Sequence, residues 1–288
     1  MAQGPDSSIR IGVLALQGAF IEHIQLLQRA AQIVSATPSL LHWTFHFLEV
    51  RTPAELASCD ALIIPGGEST AISLVAQRSG MLEPLREVQR HPTWGTCAGL
   101  ILLSESANKT KTGGQDLIGG LDVRVNRNHF GRQIESFQAD LDLPFLAEDK
   151  SEEEASPRPF KAIFIRAPVV EKILPIVEGA HEAEARRDGT VIAPSREIAE
   201  EVKATDKQNA QVQPVEVMAV LPGRTATIKD ALVKEKLDKE ASDIVAVRQG
   251  NVFGTSFHPE LTGDARIHAW WLKQVAEAVE RRRGLAKA

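Results

Sequence analysis

A cysteine lies at the centre of a short glycine-rich segment. Residues 95–99 read Gly-Thr-Cys-Ala-Gly, between a short strand-like run and an apolar run at 100–103. This spacing is typical of a nucleophile elbow, a tight turn from strand to helix that exposes its central side chain. The following helix would favour the thiolate of Cys97, and the N–H of Ala98 would be placed to stabilise an oxyanion. A lone cysteine is more often a buried thiol without chemical function, but five matching positions at one junction predict a nucleophile.

A cysteine nucleophile needs a base, and the segment Phe257-His258-Pro259-Glu260 offers one. Residues two apart in an extended segment share a face, so Glu260 could orient the His258 imidazole as the third member of a triad. Taken alone, the motif fits a simple His-Pro turn equally well. A zinc-deaminase interpretation would require a Pro-Cys-x-x-Cys partner, which the sequence lacks.

A third motif, Pro-Gly-Gly-Glu-Ser-Thr at 65–70, follows an apolar run and precedes a helical pattern. Gly66 and Gly67 would let the backbone approach a ligand closely. A purely structural function is the alternative, with Ser69 or Thr70 capping the helix. The segment is not a phosphate-binding P-loop, because the Lys-Ser/Thr ending is missing.

These motifs must be positioned by a regular framework. Strand-like runs at 9–16, 45–50, 61–64 and 92–96 alternate with helical patterns that begin near 20, 72 and 100. Gly80 is placed to end the second helix early. Uniformly apolar strands that alternate with helices indicate an α/β fold, with a mostly parallel sheet covered on both faces. Further strands are predicted at 121–126, 134–139, 160–166, 244–247 and 251–257, before a last helix over 264–282.

Two stretches of the chain look like additions to this framework. The segment 147–159 is acidic and typical of a solvated loop. The segment 180–242 is rich in charge and poor in aromatic residues. Within it, residues 214–220 fit a buried strand, and residues 229–239 fit an exposed helix.

The composition of the 288-residue chain excludes several classes of protein. A hydrophobic share of 43% is too high for a disordered chain, and a net charge of −5 argues against nucleic acid as the main partner. Two cysteines cannot frame a disulfide scaffold. The apolar runs are strand-sized, and the polar start lacks a signal-peptide layout. We therefore expect a soluble, cytoplasmic protein.

The motifs together resemble the class I (triad) glutamine amidotransferases. A finer set of matches resembles one family among them, the glutaminase subunits of pyridoxal 5′-phosphate synthases. The segments that carry this resemblance are 16–19, 65–70, 95–100, 127–133, 164–168 and 256–262. The resemblance implies a flavodoxin-like three-layer α/β sandwich. It also implies a single domain over 1–288, with insertions at 147–159 and within 180–242.

The resemblance further implies a reaction and a partner. L-Glutamine and water would give L-glutamate and ammonia through a glutamyl thioester, and the ammonia would pass to a separate synthase subunit that makes pyridoxal 5′-phosphate. The glutaminase would need no cofactor. We also expect no metal, and the net charge and the strand-sized apolar runs argue against nucleic acid and membrane as partners.

Carried onto this chain, the resemblance assigns a function to individual residues. Cys97, His258 and Glu260 would form the triad, and the oxyanion would be met by the N–H of Ala98 and one from the Gly66–Gly67 loop. Gln17 would lie in the contact region for the synthase, where partner binding helps to set up the oxyanion site. An arginine suits the substrate α-carboxylate, because its planar fork can pair with it bidentately. The glutamine would be held by Gly67, Glu68, Ser69, Arg127, Ile165 and Arg166.

Two other functions compete with this one. A catalytically silent subunit that only regulates the synthase could lose triad residues freely, yet all three are present. An amidase or peptidase on the same fold would use the same elbow, but the motifs around Arg127 and Arg166 favour free glutamine. Outside the motifs, Cys59 is predicted to be a core or near-surface thiol, and His23 either lines the site or faces solvent.

Overall fold

The motifs of the predicted site follow strands in the parallel half of one large sheet. The computed structural model describes residues 7–87, 91–108, 115–127, 136–147, 158–175, 184, 186–187, 189–194, 213–221 and 243–284. The strands of the parallel half, in spatial order, are β2 (Thr44–Val50), β1 (Ser8–Leu14), β3 (Ala61–Ile64), β4 (Thr93–Thr96) and β13 (Val252–Thr255). All four neighbouring pairs in this order are parallel.

The sheet continues beyond β13 in mixed directions. The next strands in spatial order are β12 (Asp243–Gln249), β9 (Val169–Ile173), β6 (Leu121–Asn126), β5 (Ser104–Asn108) and β10 (Thr190–Ile192). Of these neighbours only β5 and β6 run parallel. The remaining strands are β11 (Glu216–Leu221), which pairs with β12, and β7 (Ser136–Leu141) with β8 (Phe160–Ile165), which form a separate antiparallel hairpin.

Helices cover both faces of the sheet, because its strands alternate apolar side chains between two cores. In β3, Ala61 and Ile63 pack into one core while Leu62 and Ile64 pack into the other. The first core is covered by α1 (Phe20–Val34) and α6 (Arg266–Arg282), and the second by α3 (Ser69–Arg78), α4 (Leu82–Glu87) and α5 (Ala98–Leu103). A short helix, α2 (Pro53–Ala57), precedes β3. The predicted three-layer arrangement is present.

The helix predicted to begin near residue 72 ends early at Gly80, as expected. α3 ends at Arg78 and α4 begins at Leu82, with Gly80 between them at a φ of +70°. L-residues with side chains seldom adopt this left-handed conformation, which is why a glycine ends the helix here.

The strand predicted at 214–220 is present, but most of its residues are not buried. β11 is present from Glu216 to Leu221, but Ala219 is its only buried residue, and Val217 and Val220 are exposed. The prediction of burial is wrong, since β11 pairs with β12 off the main strand order and its residues other than Ala219 are exposed or half-buried. The helix predicted at 229–239 and nearly all of the segment 147–159 lie outside the described residues.

No helix within the described ranges is long and apolar enough to cross a membrane.

Candidate active site

Four loops meet at the carboxyl ends of the parallel strands. The loops after β1, β3, β4 and β13 carry Gln17, the Gly66–Gly67 pair, Cys97 and His258 respectively. Carboxyl ends of parallel strands lie on one edge of a sheet, and α/β proteins bind their ligands at this edge. The order of the strands therefore brings together residues that are up to 241 positions apart in the sequence.

Cys97 occupies a strained turn between β4 and α5. Its backbone has φ +48° and ψ −100°, an unusual conformation for a residue with a side chain. Its N–H donates to the Thr255 carbonyl at 2.8 Å, which ties the turn to β13. The elbow needs its flanking glycines, since a Cβ on Gly99 would lie 2.0 Å from the Ile64 carbonyl oxygen. Cys97 is 6% exposed.

His258 and Glu260 form a buried pair next to this cysteine. The Nδ1 atom of His258 lies 2.7 Å from Oε1 of Glu260, as the two-residue spacing predicts. The backbone N–H of His258 donates to the Ile163 carbonyl at 2.8 Å, so that β8 fixes the position of the histidine. With Nδ1 occupied by the carboxylate, Nε2 is the ring nitrogen left to exchange a proton with the thiol.

The charge on His258 is set by opposing effects. Burial by itself lowers the pKa of this imidazole, but hydrogen bonds to Cys97 and Glu260 outweigh it and raise the pKa to about 10. The arrangement therefore favours an imidazolium beside the sulfur, which is the pairing that activates a cysteine nucleophile.

The two glycines of the loop after β3 allow close contacts on both sides. A Cβ on Gly66 would lie 2.3 Å from Cε1 of His258, and one on Gly67 would lie 2.4 Å from Oε1 of Gln17. The Gly66 carbonyl accepts the N–H of Ala19 at 3.1 Å. Gly18, at a φ of +102°, leaves space for that carbonyl. The loop after β1 thus fixes the position of the loop after β3.

Glu68 caps the N-terminus of α3, and this corrects the expectation that Ser69 or Thr70 caps the helix. Its carboxylate accepts the N–H groups of Thr70 and Ala71 at 3.1 and 2.7 Å, and its own N–H donates to Oε1 of Gln17 at 2.8 Å. The side chain of Ser69 is left for another contact, because the cap, Glu68, lies one residue earlier than Ser69. Its Oγ accepts from Nη2 of Arg127 at 3.0 Å.

Arg127 provides a largely buried positive charge. Burial lowers the pKa of its guanidinium to about 10, against the opposing effect of Glu68. The group therefore remains charged at neutral pH. Its backbone N–H donates to Oδ1 of Asn108 at 2.8 Å, which anchors the chain just after β6.

These side chains surround a cavity of about 410 Å³. The Ile165 carbonyl oxygen lies 3.9 Å from Sγ of Cys97, and the adjacent Arg166 has a φ of +42°. Of the predicted site residues, Gly66, Ala98 and Glu260 do not line the cavity, and Ile101 is a lining residue that the sequence motifs do not predict. The cavity is lined by Gln17, Gly67, Glu68, Ser69, Cys97, Ile101, Arg127, Ile165, Arg166 and His258.

Cys59 and His23 lie outside the motifs, and the structure shows the environment of each. Cys59 is buried, as predicted, with its thiol 3.2 Å from the Glu55 carbonyl oxygen, and burial raises its pKa to about 11. His23 does not face solvent: it is fully buried behind the triad, with Nε2 3.4 Å from Oε2 of Glu260. Its spacing from the buried Leu26 and Leu27 on α1 is the signal that could have placed it on the inner face.

Within the described ranges, no group of three His, Cys, Asp or Glu side chains is arranged to hold a metal ion.

Known proteins of one kind match the chain over nearly its whole length. It is 38% identical to a "probable pyridoxal 5′-phosphate synthase subunit PDX2" of Arabidopsis thaliana, over 93% of this chain and 86% of that protein. It is 36% identical to the pyridoxal 5′-phosphate synthase subunit PdxT of Herpetosiphon aurantiacus, over 91% and 98% of the two chains.

A solved structure and a family profile agree with these matches. A crystal structure described as a glutamine amidotransferase aligns with a TM-score of 0.59 and 31% identity, over 92% of this chain and 98% of that chain. This alignment confirms the predicted flavodoxin-like α/β class. The profile of the SNO glutamine amidotransferase family matches residues 13–200 and 201–277. The chain belongs to the SNO glutamine amidotransferase family.

Proposed function

We propose that this protein is the glutaminase subunit of a pyridoxal 5′-phosphate synthase. It hydrolyses L-glutamine to L-glutamate and ammonia, and passes the ammonia to the synthase subunit. The observation that carries the proposal is the convergence of Cys97, the buried His258–Glu260 pair and Arg127 on one cavity. The names of the matching relatives support the partner, since they are subunits of that synthase.

The first half of the reaction forms a thioester. The thiol proton of Cys97 already lies on Nε2 of His258 in the imidazolium–thiolate pair, and the Cys97 sulfur bonds to the side-chain amide carbon of glutamine. The electron pair of the C=O bond moves onto oxygen, and the resulting oxyanion is met by N–H groups of Ala98 and the Gly66–Gly67 loop. When the oxyanion collapses, the C–N bond breaks, and His258 returns the proton to the leaving ammonia.

The second half releases glutamate. His258 takes a proton from a water molecule, whose oxygen attacks the thioester carbon. The C–S bond then breaks, and His258 gives its proton to the departing sulfur. Glu260 holds the imidazole in the tautomer that both halves need, and it stabilises the positive charge that forms there.

The cavity wall suits the two ends of free glutamine. Arg127 provides a charged donor for the α-carboxylate, and Ser69 is held beside it. Gly67, Glu68, Ile165 and Arg166 complete the proposed substrate contacts, and the Glu68 carboxylate is available to the α-amino group. The cavity volume lies in the range of small-molecule sites.

Gln17 links the proposed partner surface to the oxyanion loop. Its Oε1 accepts the N–H of Glu68, and the Ala19 N–H two residues further on holds the Gly66 carbonyl. A synthase subunit that contacts Gln17 therefore acts directly on the peptide groups that meet the oxyanion. We expect low glutaminase activity without the partner.

Two further properties belong to this proposal. Both cysteines are free thiols, which is consistent with a cytoplasmic location. We also propose a single domain over 1–288 with insertions at 147–159 and within 180–242. In support, the family profile matches in two segments that meet at residue 200, inside the second of these insertions.

The test is glutamate release from glutamine, with and without the synthase subunit. We expect release that increases on adding the synthase and is abolished by Cys97→Ala. The matched control is Cys59→Ala, which removes the other thiol and retains activity. A silent regulatory subunit would give no release even with the synthase. An amidase or peptidase would cleave other amides at least as fast, and release that survives Cys97→Ala would exclude the thioester mechanism.

A further inference from the structure

A second buried histidine lies directly behind the triad. His23, on the inner face of α1, has its Nε2 atom 3.1 Å from Oγ1 of Thr96 and 3.4 Å from Oε2 of Glu260. Its Nδ1 atom lies 3.0 Å from Nε2 of His268 on α6. Both histidines and Thr96 are fully buried, and the Glu260 side chain is 0% exposed.

Both of these histidines are neutral at physiological pH. Burial, helped by His268 and His258 nearby, lowers the pKa of His23 well below its ordinary value. Burial also lowers the pKa of His268 to about 3, although Asp264 opposes the shift. Each ring therefore carries one N–H. Whether His23 carries it on Nδ1 or on Nε2 decides whether a lone pair or a hydrogen-bond donor faces Glu260.

The contacts select one of two tautomer arrangements. If His23 carried its proton on Nδ1, its Nε2 lone pair would face the Glu260 carboxylate. His268 would then carry its own proton on Nδ1, an atom with no hydrogen-bond partner among the described residues. A buried N–H without a partner is costly, and so is a lone pair directed at an anion. In the opposite arrangement, His268 Nε2–H donates to His23 Nδ1, and His23 Nε2–H points at Thr96 and Glu260.

The second carboxylate oxygen of Glu260 depends on this contact. Oε1 is taken by His258, whereas Oε2 is buried and makes no contact of full hydrogen-bond geometry with any described residue. The 3.4 Å approach of His23 Nε2 is long for a hydrogen bond, and Thr96 shares the same N–H. Contacts of this kind in a site without substrate commonly shorten in the reacting complex.

We propose that His23 is a positioning residue for the glutaminase triad. Its neutral Nε2–H holds Oε2 of Glu260, so that Oε1 stays directed at His258 in the orientation the reaction requires. The inference rests on the proposed glutaminase function. It extends the chain of contacts from Cys97, His258 and Glu260 to His23 and His268. The titratable groups that face His23 are Glu260, His258 and His268.

The matched variants are His23→Gln and His23→Asn. The two amides are equally polar and neutral, but only the longer glutamine places an N–H near the position of histidine Nε2. His23→Leu fills the space without any donor. Leu27→Ala is the stability control, because Leu27 lies one turn further along the same buried face and is not part of the triad contacts.

Glutaminase kinetics of the complex with the synthase subunit form the first readout. We expect His23→Asn and His23→Leu to lower kcat by about 10- to 100-fold with little change in KM, and to shift the pH profile of kcat. The kcat of His23→Gln should remain within a few-fold of the wild-type value. Leu27→Ala should lower the melting temperature while leaving the pH profile unchanged.

The second readout is the pH dependence of Cys97 alkylation by iodoacetamide, which requires neither glutamine nor turnover. We expect the profile to shift in His23→Asn and to stay near wild type in His23→Gln. Absence of glutamate release from the wild-type complex would overturn the proposed function, and the alkylation profiles would still test His23. Equal kcat and equal alkylation profiles for the Asn, Gln and wild-type proteins would overturn the inference, even if His23→Leu does not fold.

Discussion

Gly66 packs so tightly against His258 that a methyl group on its Cα would come within 2.3 Å of the imidazole Cε1. The glycine therefore does more than bend the loop after β3. It lets a peptide group that is proposed to meet the oxyanion lie directly beside the proposed base. No side chain fits between them without displacing one of the two.

Gly66→Ala should abolish most glutaminase activity while the protein still folds. A displacement of His258 by about 1 Å is enough to cost roughly 100-fold in kcat. Gly80→Ala is the control: its φ of +70° makes it destabilising by about 1–2 kcal/mol, but it has open space around it and is remote from the site. Steady-state kinetics and thermal melts of both variants check this, and full activity in Gly66→Ala would contradict the packing argument.

Glu260→Gln should retain the hydrogen bond to His258 but lose the negative charge. Because the Glu260 carboxylate helps to raise the pKa of His258, that pKa should fall in the variant. We expect kcat to decrease by roughly 10²–10⁴-fold, the usual range for impaired general acid–base catalysis. The measurement is the pH dependence of kcat and of Cys97 alkylation, with the exposed Glu83→Gln as control. An unchanged alkylation profile would argue against charge stabilisation by Glu260.

Arg127→Gln should act on substrate binding more than on the chemical step. We expect KM for glutamine to rise by about tenfold or more, with Arg127→Lys intermediate, because lysine cannot pair bidentately with a carboxylate. Since the pKa of Arg127 is about 10, KM should show no titration of this group between pH 7 and 8.5. Arg86→Gln, on α4 outside the cavity, is the control. A change confined to kcat would remove Arg127 from the proposed carboxylate site.

The parts of the site that sequence reasoning predicts are those carried by contiguous residues. The elbow around Cys97 and the His258–Glu260 pair each depend on a spacing of two residues, so a local pattern contains them. Arg127 stands alone in the sequence, and only resemblance to a family assigned it a function. The fold class followed because alternating apolar strands and helices have few ways to pack.

The contacts that escaped prediction join distant parts of the chain. His23 is 73 residues from Thr96 and 245 residues from His268. No local sequence pattern predicts that these three side chains are in contact. Ser and Thr are the commoner caps, so the sequence predicts the wrong cap for α3. Glu68 is long enough to reach two N–H groups from outside the helix. An apolar run does not reveal that β11 lies off the main strand order, so the sequence predicts too much burial for it.

A thiol-reactive glutamine analogue should modify Cys97 and leave Cys59 unmodified. Burial raises the pKa of Cys59 to about 11, so that little of its reactive thiolate form is present at pH 8. Cys97 instead borders the cavity beside His258. Peptide mapping after labelling identifies the modified residue, and Cys97→Ser should abolish labelling. Modification of Cys59 would contradict the assignment of the nucleophile.

The buried histidines should make the protein less stable in acid. The pKa of His268 is about 3 in the folded protein and near 6.5 when the chain is unfolded, and that of His23 is also lowered. The contribution of each histidine to stability is therefore complete above pH 6.5 and is lost as the pH falls below that value, for His268 down to about pH 3. Each histidine adds a slope of up to about 1.4 kcal/mol per pH unit to the free energy of unfolding.

His268→Phe removes one of these two protonation sites and should flatten that slope by up to about 1.4 kcal/mol per pH unit between pH 6.5 and 5. The ring volume is roughly retained, so any loss of stability from packing should be nearly the same at each pH. Urea unfolding at several pH values measures the effect, with His46→Phe on the exposed face of β2 as the control. A slope equal to that of the wild type would mean that His268 does not remain neutral in the folded protein.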